Sequence, residues 1–141
     1  MAGSEQKASQ REYFEFIKGV ELDSLYAERG SFEMRGAMPS APMSIRLQDT
    51  PQIREVTGSR LVAEHRYALE IREKGKRKLF VAIKAVFVAA YHTAQEPSEE
   101  ILKAFLDRNV RLNTWPFFRE LAYSSLTRMS LPPLVLPVLK R

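Results

Sequence analysis

The sequence contains no cysteine. That absence removes disulfide frameworks, thiol nucleophiles and thiolate metal sites together, and leaves the cytoplasm as the expected compartment. Histidine is scarce, with two residues in the chain. His65 alternates with apolar neighbours in a strand-like segment and His92 closes another. Neither has a partner at metal-ligand or general-base spacing, so both read as structural. The glycine-rich phosphate loops GxGxxG and GxxxxGK[ST], the nucleophile elbow GxSxG and the zinc helix HExxH are all missing. Glu99 and Glu100 are adjacent carboxylates, but neighbours in sequence point to different sides of a helix, and acidic residues at a helix start explain them. No enzymatic activity, metal or cofactor is therefore expected. Long hydrophobic runs are lacking too. The longest, Leu79 to Tyr91, is interrupted by Lys84 and falls short of the roughly 20 residues of a spanning helix. The first eleven residues are polar and have no apolar central region, which excludes a secretory signal and reads as a loose tail over residues 1–12.

What remains is an ordinary globular composition. The chain has 141 residues, 45% hydrophobic and 28% charged, with a formal net charge of +5. This matches a single domain, assigned to residues 13–141, able to bury its own core. The densest basic run, Lys74-Gly75-Lys76-Arg77-Lys78, lies between two strand-like segments and reads as a solvated hairpin tip. A single-strand nucleic-acid binder interleaves cations with exposed rings, and this run has none, so nucleic acid is not the expected partner.

Alternation organises the first two thirds of the chain. Phe14, Phe16, Val20, Leu22 and Tyr26 suggest a long first strand, and Gly30 to Pro42 reads as a loop that carries Phe32, Met34 and Met38. A short strand follows at Met43, Ile45 and Leu47, until Asp49-Thr50-Pro51 breaks it. Leu61 to Glu73 is the clearest strand, with Leu61, Ala63, His65, Tyr67, Leu69 and Ile71 on one face. Arg77 to His92 is apolar on both faces, as a central strand would be, or one covered by a second subunit. Helical signals then take over. Ser98 caps a short helix ending near Asp107, and a second opens near Asn113 or Thr114, with Pro116 in its first turn, and runs to about Met129. Its apolar residues, Trp115, Phe117, Phe118, Leu121, Ala122, Leu126 and Met129, cover most of its circumference. The terminal run from Leu131 carries Pro132, Pro133 and Pro137 and must be extended. Strands first and helices last give an α+β fold with an antiparallel sheet.

Some apolar residues sit where folding alone would not put them. Met34, Met38 and Met43 lie in or beside the proline- and glycine-punctuated segment, and the terminal run is rich in leucine. Flexible apolar side chains in such places suit a surface that accepts many different polypeptides.

The segment Thr114-Trp115-Pro116-Phe117-Phe118-Arg119-Glu120-Leu121, continuing through Leu126-Thr127-Arg128 to Leu131-Pro132-Pro133-Leu134-Val135-Leu136-Pro137, resembles the signature of the SecB export chaperones and their SecB-like relatives. The order of elements from Phe14 to Leu139 is similar as well. The resemblance implies a four-stranded antiparallel sheet packed against a long C-terminal helix, pairing into dimers that associate as a tetramer, a dimer of dimers. It implies an ATP-independent holdase for unfolded clients or preproteins, with the SecA motor or an antitoxin as a further partner. The implied client groove is lined by Phe32, Met34, Met38, Met43, Leu131, Leu134, Leu136 and Leu139. The sequence departs from the pattern twice. It stops just after the proline-rich exit, where longer members carry another helix beside the groove. Its charge is basic, whereas SecA docking in the family relies on an acidic sheet surface.

Overall fold

The computed structural model describes residues 2–37 and 42–132, with side chains from Gln10 onward. The elements are α1 (Ala2–Lys18), β1 (Val20–Met34), β2 (Met43–Thr57), β3 (Arg60–Glu73), β4 (Leu79–Thr93), α2 (Glu99–Phe105) and α3 (Arg111–Arg128). The strands form one antiparallel sheet in the order β1-β4-β3-β2, so β4 and β3 are central and β1 and β2 are the edges. The α+β class with an antiparallel sheet is what the order of strand and helix signals predicts, and the four strands with a long C-terminal helix are what the resemblance implies.

The start of the chain differs from that reading. A first strand from Phe14 is not formed, and the division between a tail at residues 1–12 and a domain from 13 falls inside α1. Tyr13 and Phe16 are buried, with Ile17 packed on the same cluster, a spacing of three and four that a helix places on one face, and Val20 joins them from the start of β1. Phe14, which suggested alternation with Phe16, is 59% exposed. Gly19 then lets helix and sheet meet closely, since a Cβ there would stand 2.5 Å from that of Ala94.

β1 also runs farther than expected, through Gly30, Phe32 and Met34, and β2 continues past Pro51 to a two-residue turn at Gly58-Ser59. Proline lacks a donor, but on an edge strand the missing N–H costs no ladder bond. Gly58 takes φ +56 at the first central turn position, where positive φ is needed.

β3 and β4 match their patterns. Leu69, Ile71, Val81, Ile83, Phe87 and Tyr67 bury one face against Trp115, Phe118, Ala122 and Leu126 of α3. Leu61, Ala63, Ala89 and Tyr91 continue that face under Phe16, Phe105 and Val110.

The two C-terminal helices are continuous. Ser98 caps α2 by accepting from the Ile101 amide at 3.3 Å. A wide π turn at Leu106–Val110 then carries the backbone into α3 without a break, so Pro116 lies inside the helix rather than in a first turn. Polar pins fix its rotation. Thr114 meets the Tyr67 hydroxyl at 2.8 Å, Tyr91 donates to Asn113 at 2.8 Å, and Arg111 lies 3.0 Å from Asp49 of β2. The helix ends in a paired cap, in which the Leu131 amide reaches the Leu126 carbonyl and that of Ser130 reaches Thr127, each at 3.0 Å. Ser130 supplies the left-handed residue of this Schellman motif at φ 57.

Candidate polypeptide-binding surface

Four of the residues that the sequence nominates, Phe32, Met34, Met43 and Leu131, lie at one end of the sheet, where β1 finishes and β2 begins. Antiparallel register decides which way they face. Phe32 stands opposite Ile83 and Met34 opposite Val81, and both partners are buried beneath α3. Phe32 and Met34 therefore share the helix-bearing face but lie on the edge strand, 46% and 36% exposed. On the other edge Met43 is half-buried against the same core. The distance between the two edges is three strand spacings, about 14 Å, with the C-terminal half of α3 between them.

Leu131 joins Met43 through the helix cap. The bond from its amide to the Leu126 carbonyl turns the chain back onto the core, and its side chain packs there, partly buried. The exit from α3 thus delivers the chain to the same end of the sheet. The Arg35 amide donates to Phe80 O at 2.8 Å and that of Lys74 to Pro42 O at 2.7 Å, which anchors both sides of the β1–β2 connection. Met38, Leu134, Leu136 and Leu139 lie outside the described residues.

Two groups of exposed apolar residues beside this surface were not singled out in the sequence. Ile45 and Leu47 pair with Ile71 and Leu69, face the helix side and are 49% and 38% exposed. Their alternation with Ser44, Arg46 and Gln48 was visible, but their place on an edge was not. On α3, Phe117 and Tyr123 are 53% and 50% exposed, so part of the apolar circumference read from the sequence is not covered by the sheet. Phe117 sits 6.4 Å from Phe87, beside Leu121, on the flank of α3 that faces Gly30 of β1. Hence α3 has an apolar margin on both sides: Phe32, Met34 and Phe117 along β1, and Met43, Ile45, Leu47 and Leu131 along β2.

The most buried titratable cluster serves packing. His65 is fully buried, stacked 4.4 Å from Tyr67, and its Nε2 lies 2.7 Å from Asp49 Oδ2. Burial pushes the imidazole pKa below its ordinary value, against the pull of Asp49. Since Asp49 accepts there, Nε2 carries the proton, and Nδ1 is buried without a partner among the described residues. Asp49 also meets Arg111, so its carboxylate links β2, β3 and α3. Burial likewise raises the phenol of Tyr67 to about 12, consistent with a hydroxyl that stays protonated in its bond to Thr114. Among the described residues no group of three or more His, Asp or Glu could hold a metal ion, and no helix is long and apolar enough to cross a membrane.

No protein-family model matches the chain, and no curated protein sequence does. Solved structures do. The SecB-like chaperone Rv1957 of Mycobacterium tuberculosis, in complex with a ChAD peptide from the Rv1956 HigA1 antitoxin, matches with a TM-score of 0.78 at 23% identity, covering 89% of this chain and 94% of that one. A protein of unknown function from Streptococcus agalactiae matches with a TM-score of 0.52 at 12% identity, covering 84% and 96%. The four-stranded antiparallel sheet with its long C-terminal helix is thus a SecB-like fold.

Proposed function

We propose that this chain is an ATP-independent holdase that binds non-native polypeptides along the apolar margins of α3. The observation that carries the reading is the exposure of Phe32 and Met34 on the helix-bearing face, directly beside a buried core. Each such side chain costs solubility in a monomer, and each regains it when a client's apolar groups cover it, at about 25 cal/mol per Å². Binding needs no chemical input, which agrees with the absence of nucleotide motifs in the sequence. The edge strands add unpaired backbone groups on both sides of the groove, so an extended client can pair as it packs. We also propose a cytoplasmic homo-oligomer, a dimer of dimers, in which subunits share the cover of the exposed apolar residues. A net charge of +5 fits poorly with SecA as its partner.

The test is suppression of aggregation when a denatured, unrelated protein is diluted into buffer with this chain and no ATP. Protection that saturates near stoichiometric ratios is expected, and Phe32→Asp with Met34→Asp removes it while far-UV circular dichroism stays unchanged. Aggregation that proceeds as in buffer alone overturns the reading.

A second reading is a chaperone dedicated to one antitoxin, favoured by the antitoxin peptide held by the Mycobacterium tuberculosis SecB-like chaperone. It predicts tight binding to a single partner and little protection of unrelated proteins.

A further inference from the structure

The face of the sheet opposite α3 has a different chemistry. Two transverse rows cross all four strands there: Arg29, Val86, Arg66 and Thr50, then Ser31, Lys84, Ala68 and Gln48. They enclose an open cavity of about 380 Å³ whose wall contains three cations, Arg29, Arg66 and Lys84, the polar side chains Ser31, Gln48 and Thr50, and no carboxylate. A β-bulge between Ala27 and Arg29 increases the local twist of β1 beside this hollow.

The neighbouring acids are occupied elsewhere. Glu28 and Glu64 are held by Arg54, Glu64 also by Arg66, and Glu33 by Arg35. Arg29 is close enough to Glu28, and Lys84 to Glu33, for each to feel the charge, yet neither cation makes an ion pair or hydrogen bond among the described residues. Arg66 gives its Nε to Glu64 at 2.7 Å, which leaves its two terminal amino groups for another acceptor. The hollow therefore has two cations without an ion pair among the described residues, Arg29 and Lys84, and a third, Arg66, whose terminal amino groups remain open, with neutral hydrogen-bonding groups beside them.

We propose that this cavity is a second binding surface, which takes an acidic segment of a polypeptide through its carboxylates. Charge complementarity chooses the occupant. Three cations within one concave wall favour several carboxylates in succession over a neutral or basic chain. A volume of this size admits two or three side chains, with the rest of the segment lying along the face. Nucleic acid is disfavoured because the wall presents no ring for a base to stack on. Tyr67 contributes to the wall only from its backbone side, since its ring lies on the other face, stacked 4.7 Å from Phe118. This surface lies on the opposite side of the sheet from the apolar margins of α3 and does not depend on the holdase reading.

Fluorescence anisotropy with a labelled octaglutamate peptide tests the proposal on the full chain, beside a labelled glycine-serine peptide and an oligouridylate of equal length. Saturable binding of octaglutamate is expected, at least about tenfold tighter than that of either control and weakening as salt rises. Arg29→Gln with Lys84→Gln weakens it by about tenfold or more, while Lys84→Arg leaves it within about twofold. Both residues are exposed, so the fold withstands these changes. Should the double variant nevertheless unfold, Lys84→Gln alone is expected to weaken binding by about threefold. Absence of saturable binding, or equal binding by the folded variants, overturns the proposal. So does oligouridylate binding that is tighter than peptide binding and lost in the double variant.

Discussion

Arg54, on one edge of the sheet, holds Glu28 on the other in a two-pronged grip, with Nη1 to Oε2 at 2.6 Å and Nη2 to Oε1 at 2.8 Å. The same guanidinium donates Nε to Glu64 at 3.1 Å, and Glu64 is only 5% exposed. Because Glu64 faces away from α3, the grip crosses β3 and β4 on the outer face, beside buried Val62, Val88 and Ala90. The aliphatic stem of Arg54 covers what its charged end cannot.

Arg54→Met keeps the stem and removes the grip. The hydrogen bond from Arg54 is the largest influence holding the Glu28 carboxyl below its ordinary value of 4.5. For Glu64, burial pushes upward and the bonds from Arg66 and Arg54 outweigh it, so that carboxyl is lowered too. A lowered carboxylate contributes stability that is present above its unfolded pKa and lost as pH falls through the folded one. The variant should therefore unfold at lower urea than the parent at pH 7, and the difference should shrink below about pH 4. Urea midpoints that coincide at both pH values would show that the grip contributes nothing.

His65 gives a pH dependence of its own in a higher window. Its folded pKa lies below 6.5 because burial opposes the charged ring, and a proton on Nδ1 would be a buried donor with no acceptor among the described residues. The unfolded chain then binds the proton more readily, so stability is full above about pH 6.5 and falls as pH drops toward the folded pKa, by at most about 1.4 kcal/mol per pH unit for one proton. Urea unfolding between pH 7 and 5 should reveal this slope, and His65→Gln should flatten it. A parent protein with equal stability across that range would refute the assignment.

The sheet was legible where burial imposes a period. β3 alternates because one face meets α3 and the other meets the ion pairs of Glu64 and Arg66, and β4 is apolar on both faces because it is central. Edges were not legible. Pro51 looked like a break and Gly30 like a loop because sequence does not record which strand lacks a neighbour, and on an edge both residues are tolerated. In α1 the helical spacing of Tyr13, Phe16 and Ile17 was present, but Phe14 and Phe16 imitated a strand. Of the candidate surface, the roles of Phe32 and Met34 as exposed apolar residues could be anticipated from residue type, whereas Ile45, Leu47 and Phe117 required the register and the helix position.

Ser130 occupies a position that favours glycine. Its φ of 57 closes the cap that sends Leu131 onto the core, and a side chain in that conformation costs about 1 kcal/mol or more relative to glycine. Ser130→Gly should raise stability by about 0.5–1 kcal/mol in urea unfolding, since part of the relief is offset by the greater freedom of glycine in the unfolded chain. A destabilised variant would mean that the serine makes a compensating interaction.

Phe118 tests the core beneath the groove. It is fully buried and stacked at 10° on Tyr67, between α3 and β3. Phe118→Ala should cost about 3–5 kcal/mol, because the lost ring leaves a cavity that neither the sheet nor a helix pinned at Thr114 can close. Equilibrium urea unfolding measures it, and a loss below about 1 kcal/mol would mean that the seam repacks freely.

The two margins of α3 make separable predictions for client binding. Along β1 the exposed residues are Phe32 and Met34, and along β2 they are Ile45 and Leu47. All four lie on the helix-bearing face with side chains open to solvent, so a charge there is hydrated in the free protein and leaves the fold intact, but it must be desolvated when a client covers it. Phe32→Asp with Met34→Asp and Ile45→Asp with Leu47→Asp should each weaken binding of a labelled unfolded polypeptide by about tenfold or more if a client wraps both sides of the helix. Loss in the first pair alone would confine the groove to the β1 margin, and loss in the second alone would move it to β2, away from Phe32 and Met34. Full affinity in both folded pairs would remove the apolar margins of α3 from client binding altogether. Light scattering on the same variants separates a lost groove from a lost subunit contact, because a client-binding residue leaves the assembly size unchanged and an interface residue does not.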